Sequence, residues 1–341
     1  AAAEAGADPV TVTEIATQQC HVLSQFGDDA EHAVHVGRRA LEMANRLEDE
    51  ALAYGARFAL GHACWICGDY ESAIELLSAN LRENMRDPTR IRDFGTAGSL
   101  LLDSMSILGS TLAHRGHFDR AFPILERAQA LPQKNAWDLT VIGYHHARAH
   151  LIRGDTVSAT PISLAAIEHA TRVGLEFSLP WQRAMLGHAY ALDGEFDAAV
   201  ALLEAAFERS QEIHMRYPAS FTGALLAETL APRQPRRALA VAETTLGAAR
   251  ASRHRAVEAE LLRVKAAALL SLDPDAAEAA ANEGSALAQE LGLGPEQAHG
   301  LRTLGDIMAA RGDKAKADEF HGLARAKYRS LGMTRWAEGP G

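Results

Sequence analysis

Apolar residues recur three and four positions apart in stripes, as in Ala73, Ile74, Leu76, Leu77 and Leu81, and again in Ala199, Val200, Leu202, Leu203 and Ala206. That spacing predicts amphipathic helices, each with one face turned to a neighbour. Every stripe opens on an alanine five residues after a break. Gly68 leads to Ala73, Gly116 to Ala121, Gly154 to Ala159, Gly194 to Ala199 and Gly312 to Ala317, while Arg233 to Ala238 and Leu272 to Ala277 keep the spacing without glycine. Successive breaks are 48, 38, 40, 39, 39 and 40 residues apart. A period near 40 residues is the mark of a repeat array, in which each unit is a helical hairpin that cannot bury its apolar face alone.

A further hairpin fits upstream, where Gly27 precedes Ala33 and an apolar series runs through Val36, Ala40, Met43, Ala44 and Leu47. About eight hairpins then fill the chain. Before several breaks the first helix carries Leu-Gly: Leu60-Gly61, Leu108-Gly109, Leu186-Gly187 and Leu304-Gly305. Glycine inside a helix costs about 1 kcal/mol, so its return at one register predicts a close approach between the two helices of a hairpin. The 48-residue interval holds an insertion around Asp87-Pro88, followed by Gly95 and Gly98, which reads as a longer connection. Residues 1–10 are alanine-rich and are set aside as a disordered end, an expression remnant or a cut from a longer chain, leaving 11–338 as one solenoid domain.

At 341 residues, with 48% hydrophobic and 23% charged positions, the chain can bury a sizeable core. Its 34 basic against 44 acidic residues argue against a nucleic-acid surface, and no charge-free apolar run is long enough for a membrane span. Three cysteines form no disulfide framework, which fits a soluble, cytoplasmic protein.

Motifs for chemistry are sparse. Cys64 and Cys67 have the spacing of a dithiol or a zinc half-site, yet no second pair completes it and they sit inside the repeat pattern. His146 and His150 share a helical face with His145 nearby, again without a definite third ligand. No nucleophile elbow and no phosphate-binding Gly-x-x-x-x-Gly-Lys loop occurs. The carboxylate pairs Asp69/Glu71 and Glu195/Asp197 fall at repeat turns, where they suit the N-terminal end of a second helix. The expectation is therefore a chain with no catalytic residue, metal site or cofactor.

The order Leu-Gly, an aromatic, then Gly-Asp-Tyr-x-x-Ala at Gly68 to Ala73 resembles the tetratricopeptide repeat (TPR), lengthened to about 40 residues. The stretch from Gly68 to Leu81 and the terminal Tyr328 to Trp336 are also similar to the C-terminal repeat region of bacterial class III nucleotide cyclases fused to AAA-type ATPases. The resemblance implies an all-α, right-handed superhelical solenoid and a regulatory module.

In such a stack the first helices line the concave face. Counting back from the breaks, the groove candidates are Phe58, His62, Trp65, Asp103, Ser106, Tyr144, Arg148, Trp181 and His188. Aromatics supply contact area and Arg148 a fork for an anionic group, whereas Trp65 and Trp181 would equally serve to fill gaps between helices. In the C-terminal half, Ser220, Gly223, Ala227, Ala259, Leu262 and Ala266 fall at the same positions and predict an inner face that packs or binds apolar matter. Three functions follow: a groove for a protein or peptide partner, a small-molecule sensor governing an attached cyclase or ATPase, or a scaffold that pairs as a homodimer. For the last, Leu323, Tyr328, Leu331, Met333 and Trp336 must either pack inward or meet another subunit.

Overall fold

The computed structural model describes residues 8–86, 99–133 and 135–338, so the insertion around Asp87, Pro88, Gly95 and Gly98 lies outside the described residues. Seventeen α-helices and no strand occur among the described residues. The hairpins are α1 (Pro9–Phe26) with α2 (Ala30–Arg46), α3 (Glu50–Cys67) with α4 (Tyr70–Arg86), α5 (Leu100–Arg115) with α6 (Phe118–Ala130), and α7 (Ala136–Arg153) with α8 (Thr156–Arg172). They continue with α9 (Leu179–Leu192) and α10 (Phe196–Glu212), α11 (Arg216–Leu230) and α12 (Pro235–Ala251), α13 (Arg255–Leu269) and α14 (Pro274–Glu290), and α15 (Gly294–Ala310) and α16 (Lys314–Ser330). A short α17 (Thr334–Glu338) follows. The solenoid starts earlier than residue 11, because α1 begins at Pro9 and Val10 packs against Ala44, Leu52 and Ala53.

The break residues end their helices by a common device. Gly68, Gly116, Gly154, Gly194 and Gly312 have φ between 78° and 92°. The amide after each reaches back to the carbonyl five residues earlier, as Asp69 does to Cys64 at 2.9 Å and Asp155 to His150 at 2.9 Å. That bond satisfies a carbonyl the helix leaves open, and the left-handed residue it needs is the reason for glycine. Where Arg233 and Leu272 replace glycine no left-handed residue is used; Gln234 and Asp273 instead bond to Leu230 and Leu269, at 2.7 and 2.8 Å. Asp69, Asp155 and Asp313 then cap the next helix, each side chain accepting from an amide of its first turn. Glu195 stands at the same position but makes no such bond.

Packing inside the hairpins follows the stripes. Ala73, Ala121, Ala159, Ala199, Ala238 and Ala277 are fully buried, and Ala317 nearly so. A Cβ on Gly61 would come within 2.9 Å of Leu77, on Gly109 within 2.5 Å of Leu125, on Gly187 within 2.9 Å of Leu203, and on Gly305 within 2.3 Å of His321. In all four the partner lies on the second helix of the same hairpin, so the glycines mark where the helices meet most closely.

Among the described residues the solenoid curls until its early turns meet its late repeats. The Ala30 amide donates to the Ser252 carbonyl at 3.1 Å, and Arg216 pairs with Asp28 at 2.8 Å. A Cβ on Gly68 would lie 2.9 Å from the Ala256 nitrogen, and one on Gly116 2.6 Å from Leu331. Arg335 of α17 donates to the Leu192 carbonyl and, at 3.2 Å, to Asp193. The terminal apolar set packs inward: Tyr328 and Met333 are buried, Trp336 lies over the turn at Gly154, and only Leu323 stays largely exposed. This seam encloses the inner face of the first helices.

Candidate ligand chamber

Two adjoining cavities of about 100 and 90 Å³ lie inside the closed coil, with Phe221 on the wall of both. Phe58, His62, Trp65, Asp103, Tyr144 and Trp181 line the first, and Arg148 and His188 line the second. Ser106 lines neither; its hydroxyl donates to the Leu102 carbonyl of its own helix at 2.7 Å. Trp181 of α9 packs on Trp137 and Tyr144 of the neighbouring first helix, whereas Trp65 and Tyr144 reach further. Trp65 of α3 faces Tyr217 of α11, across the ring of repeats, with centroids 4.8 Å apart, and Tyr144 of α7 faces Phe221 at 5.8 Å.

Arg148 stands where the two cavities meet. Its guanidinium lies 5.0 Å from the Phe221 ring centre and 5.8 to 5.9 Å from those of Tyr217, Trp65 and Tyr144. It donates to the Tyr144 hydroxyl at 2.5 Å. A buried guanidinium stays charged, and four ring faces supply part of the stabilisation that water has been denied.

Around the first cavity the titratable groups are held neutral. Burial lowers His62 to about 3, helped by His21, and lowers His21 itself to about 4. Burial also drives His145 far below its ordinary value, with Arg148 adding to the shift. The Asp103 carboxyl moves the other way, to about 8, through burial and then the nearby Asp138 carboxylate.

The second cavity adds charged groups, Glu228, Glu260, Arg263 and Glu296, to a C-terminal inner face expected only to pack or bind apolar matter. Arg263 of α13 donates to Glu296 of α15 at 2.6 Å and to Glu228 of α11 at 2.8 Å, tying three successive first helices together. Although burial opposes it, Arg263 holds Glu228 down to about 2. Glu260, which faces the Arg148 charge, is pushed up to about 7 by burial. Ser220, Gly223, Ala227, Ala259, Leu262 and Ala266 belong instead to the helix-packing surface: Gly223 meets Thr245 of α12, and Leu262 meets Gly284 of α14. The counting was out of phase by part of a helical turn. Glu228 stands out as an acid within the apolar run of α11, whereas α13 also carries Arg255, Glu258 and Lys265, so residue type does not single out Glu260 or Arg263.

Cys64 and Cys67 are free and buried, and burial raises both thiols, Cys67 to about 11. His146 bonds Gln129 at 3.0 Å and His150 bonds Asp155 at 3.0 Å. No cluster of three metal-ligating side chains occurs among the described residues. Nor is any described helix long and apolar enough to cross a membrane.

A family model described as tetratricopeptide repeat matches residues 183–213. A search of the curated proteins finds no match. Among solved structures, the Rap conjugation gene regulator of the plasmid pLS20, in complex with the Phr* peptide, is similar with a TM-score of 0.68 and 12% identity, covering 96% of this chain and 98% of that one. NprR in complex with its cognate peptide NprX gives 0.55 and 11% identity over 82% of this chain and 81% of that one. A STAND-type signal transduction ATPase with a tetratricopeptide repeat sensor, from Pyrococcus horikoshii, gives 0.51 and 13% identity over 96% of this chain and 48% of its own length. The repeat signature, the seventeen helices and these neighbours together make the chain a TPR-like helical solenoid.

Proposed function

We propose that this chain is a non-catalytic regulatory module of bacterial signalling that binds a peptide segment on the inner face of its first helices, in the cytoplasm. The observation that carries the reading is the lining itself: aromatic rings, a buried Arg148 and unpaired polar groups converge on enclosed space. A surface that served packing alone would be aliphatic and satisfied. Two neighbours of the same fold hold peptides in their solved complexes, which supports a peptide as the ligand class.

A small-molecule sensor is the second reading, favoured by one observation: the first cavity, at about 100 Å³, has room for a side chain or a small organic group rather than a folded partner. Such a sensor would regulate an attached cyclase or ATPase, in keeping with the resemblance of its repeats. A homodimer scaffold draws less support, since Tyr328 and Met333 are buried within the chain itself.

Thermal melting against a library of short peptides and a library of metabolites separates the two readings, because a ligand that binds only the folded state raises the melting temperature with concentration. Peptide hits lost in Arg148→Met, with helicity kept, support the first reading. Metabolite hits alone would replace it with the second.

A further inference from the structure

Asp103 is 6% exposed, and its Oδ1 is wholly buried without a hydrogen-bond partner. Among the described residues no Lys or Arg lies within ion-pair distance of it. It is not alone on that wall. Trp65 Nε1 and His145 Nδ1 are likewise buried and unpartnered, and all three residues line the first cavity. Unpaired polar atoms are costly to bury, and native proteins rarely gather several around one space. Here the residues that carry them line one cavity.

We propose that the first cavity receives a cationic nitrogen of its ligand, a protonated amine or a guanidinium, against the Asp103 carboxyl, with the ligand's apolar body against Trp65, Tyr144 and Trp181. This deepens the binding reading above and rests on it. The choice of charge follows from the walls. A carboxylate accepts hydrogen bonds and donates none, and the face of Trp181, which unlike Trp65 and Tyr144 is not engaged by Arg148, carries negative potential that attracts cations. An anion would meet the nearby Asp138 carboxylate, whose Oδ1 accepts from the Ser99 amide at 2.8 Å and whose charge helps raise Asp103. Arg148, the one cation among these rings, lies on the wall of the other cavity, where an acidic end of the same ligand would find it.

The empty site carries a proton on Asp103 near neutral pH, since burial and Asp138 raise that carboxyl to about 8. Pairing with a cation lets it ionise, so binding releases a proton, and affinity falls as pH drops from about 8 toward 6, by up to tenfold per pH unit. Of the other titratable groups on this wall, His62 and His21 are lowered to about 3 and 4, His145 is lowered well below its ordinary value, and Tyr144 and Tyr217 are raised above theirs, so none of them titrates in that window. Glu260, raised to about 7 beside Arg148 in the adjoining cavity, does titrate there, and its proton is told apart from that of Asp103 by repeating the measurement on Asp103→Asn.

The test is calorimetry on the intact protein with phenethylamine, its neutral isostere phenethyl alcohol, and a short aromatic peptide with its N-terminus free or acetylated. The expected result is binding of phenethylamine over the alcohol by more than tenfold, a binding heat that depends on the buffer because a proton leaves, and loss of that preference in Asp103→Asn. Equal binding of amine and alcohol overturns the assignment, as does a proton-free binding heat, a measurement made on wild type and so independent of how the variant folds. Binding of only the acetylated peptide leaves the peptide reading standing and removes Asp103 from it. Binding of phenethylamine with neither peptide keeps the Asp103 site and removes the peptide.

Discussion

Replacing Arg263 with methionine, which keeps the length and apolar stem but not the charge, should destabilise the C-terminal half of the coil severely. Arg263 and Glu296 are only 11% and 10% exposed at their side chains and meet at 2.6 Å. Removing one member of a buried pair leaves the other charge uncompensated, a loss of roughly 3 to 5 kcal/mol. Exposed pairs give less than about 1 kcal/mol, so the size separates the two situations. The loss must also depend on pH. Arg263 holds Glu228 at about 2, below its ordinary 4.5, so that contribution is present above about pH 4.5 and fades as pH falls toward 2. Without Arg263 the two glutamates accept protons more readily, and the gap between variant and wild type narrows on acidification. Urea unfolding followed by circular dichroism at about pH 7 and about pH 3 measures both effects. A loss below about 1 kcal/mol, or one equal at both pH values, would refute the network as described.

Other expectations follow from single positions. Gly109→Ala should cost about 1 to 3 kcal/mol, because the added Cβ would lie 2.5 Å from Leu125, whereas Gly247→Ala, with nothing within 4 Å, should gain roughly 0.5 to 1 kcal/mol; similar midpoints for both would sink the close-approach argument. Asp103→Asn should be more stable than wild type by a margin that grows between about pH 4 and pH 8 and then levels, since the folded carboxyl is raised to about 8 and its favourable neutral form is lost as pH rises through that value; a margin that shrinks with pH contradicts this. Ending the chain at Ser330 removes the buried Met333 together with Arg335 and Trp336 from the seam, so hydrogen exchange should quicken at the turns around Gly116, Gly154 and Asp193. Unchanged protection there would show that α17 does not fasten them.

The architecture was legible because its signals are local. Gly68 or Gly116 must adopt a left-handed backbone, and Gly61 or Gly109 must lack a Cβ, so both recur at fixed register. A second set of left-handed turns, between hairpins, escaped notice for the opposite reason. His214, Arg253 and Glu48 hold positions that Gly174, Gly292 and Gly332 hold elsewhere, so residue type hides the shared geometry at φ 54° to 73°. Closure of the coil was not legible, because Asp28 meeting Arg216 or Gly154 meeting Trp336 depends on small rotations summed over many repeats. The site was half visible. Trp65, Asp103 and Tyr144 were placed by counting from glycine breaks, but the same count from Arg233 and Leu272, which end their helices differently, slipped onto the packing face and missed Glu228, Glu260 and Arg263.

The enclosed chamber exists only if the first hairpin touches the sixth. Cysteines introduced as Asp28→Cys and Arg216→Cys, whose native side chains pair at 2.8 Å, can be challenged with a short bismaleimide in dilute protein and mapped by mass spectrometry. A bridge within one chain, formed rapidly and lost once urea unfolds the protein, is the predicted result. Two singly capped cysteines with no bridge under native conditions would mean an open coil, and the chamber with its buried Arg148 and Asp103 would not exist.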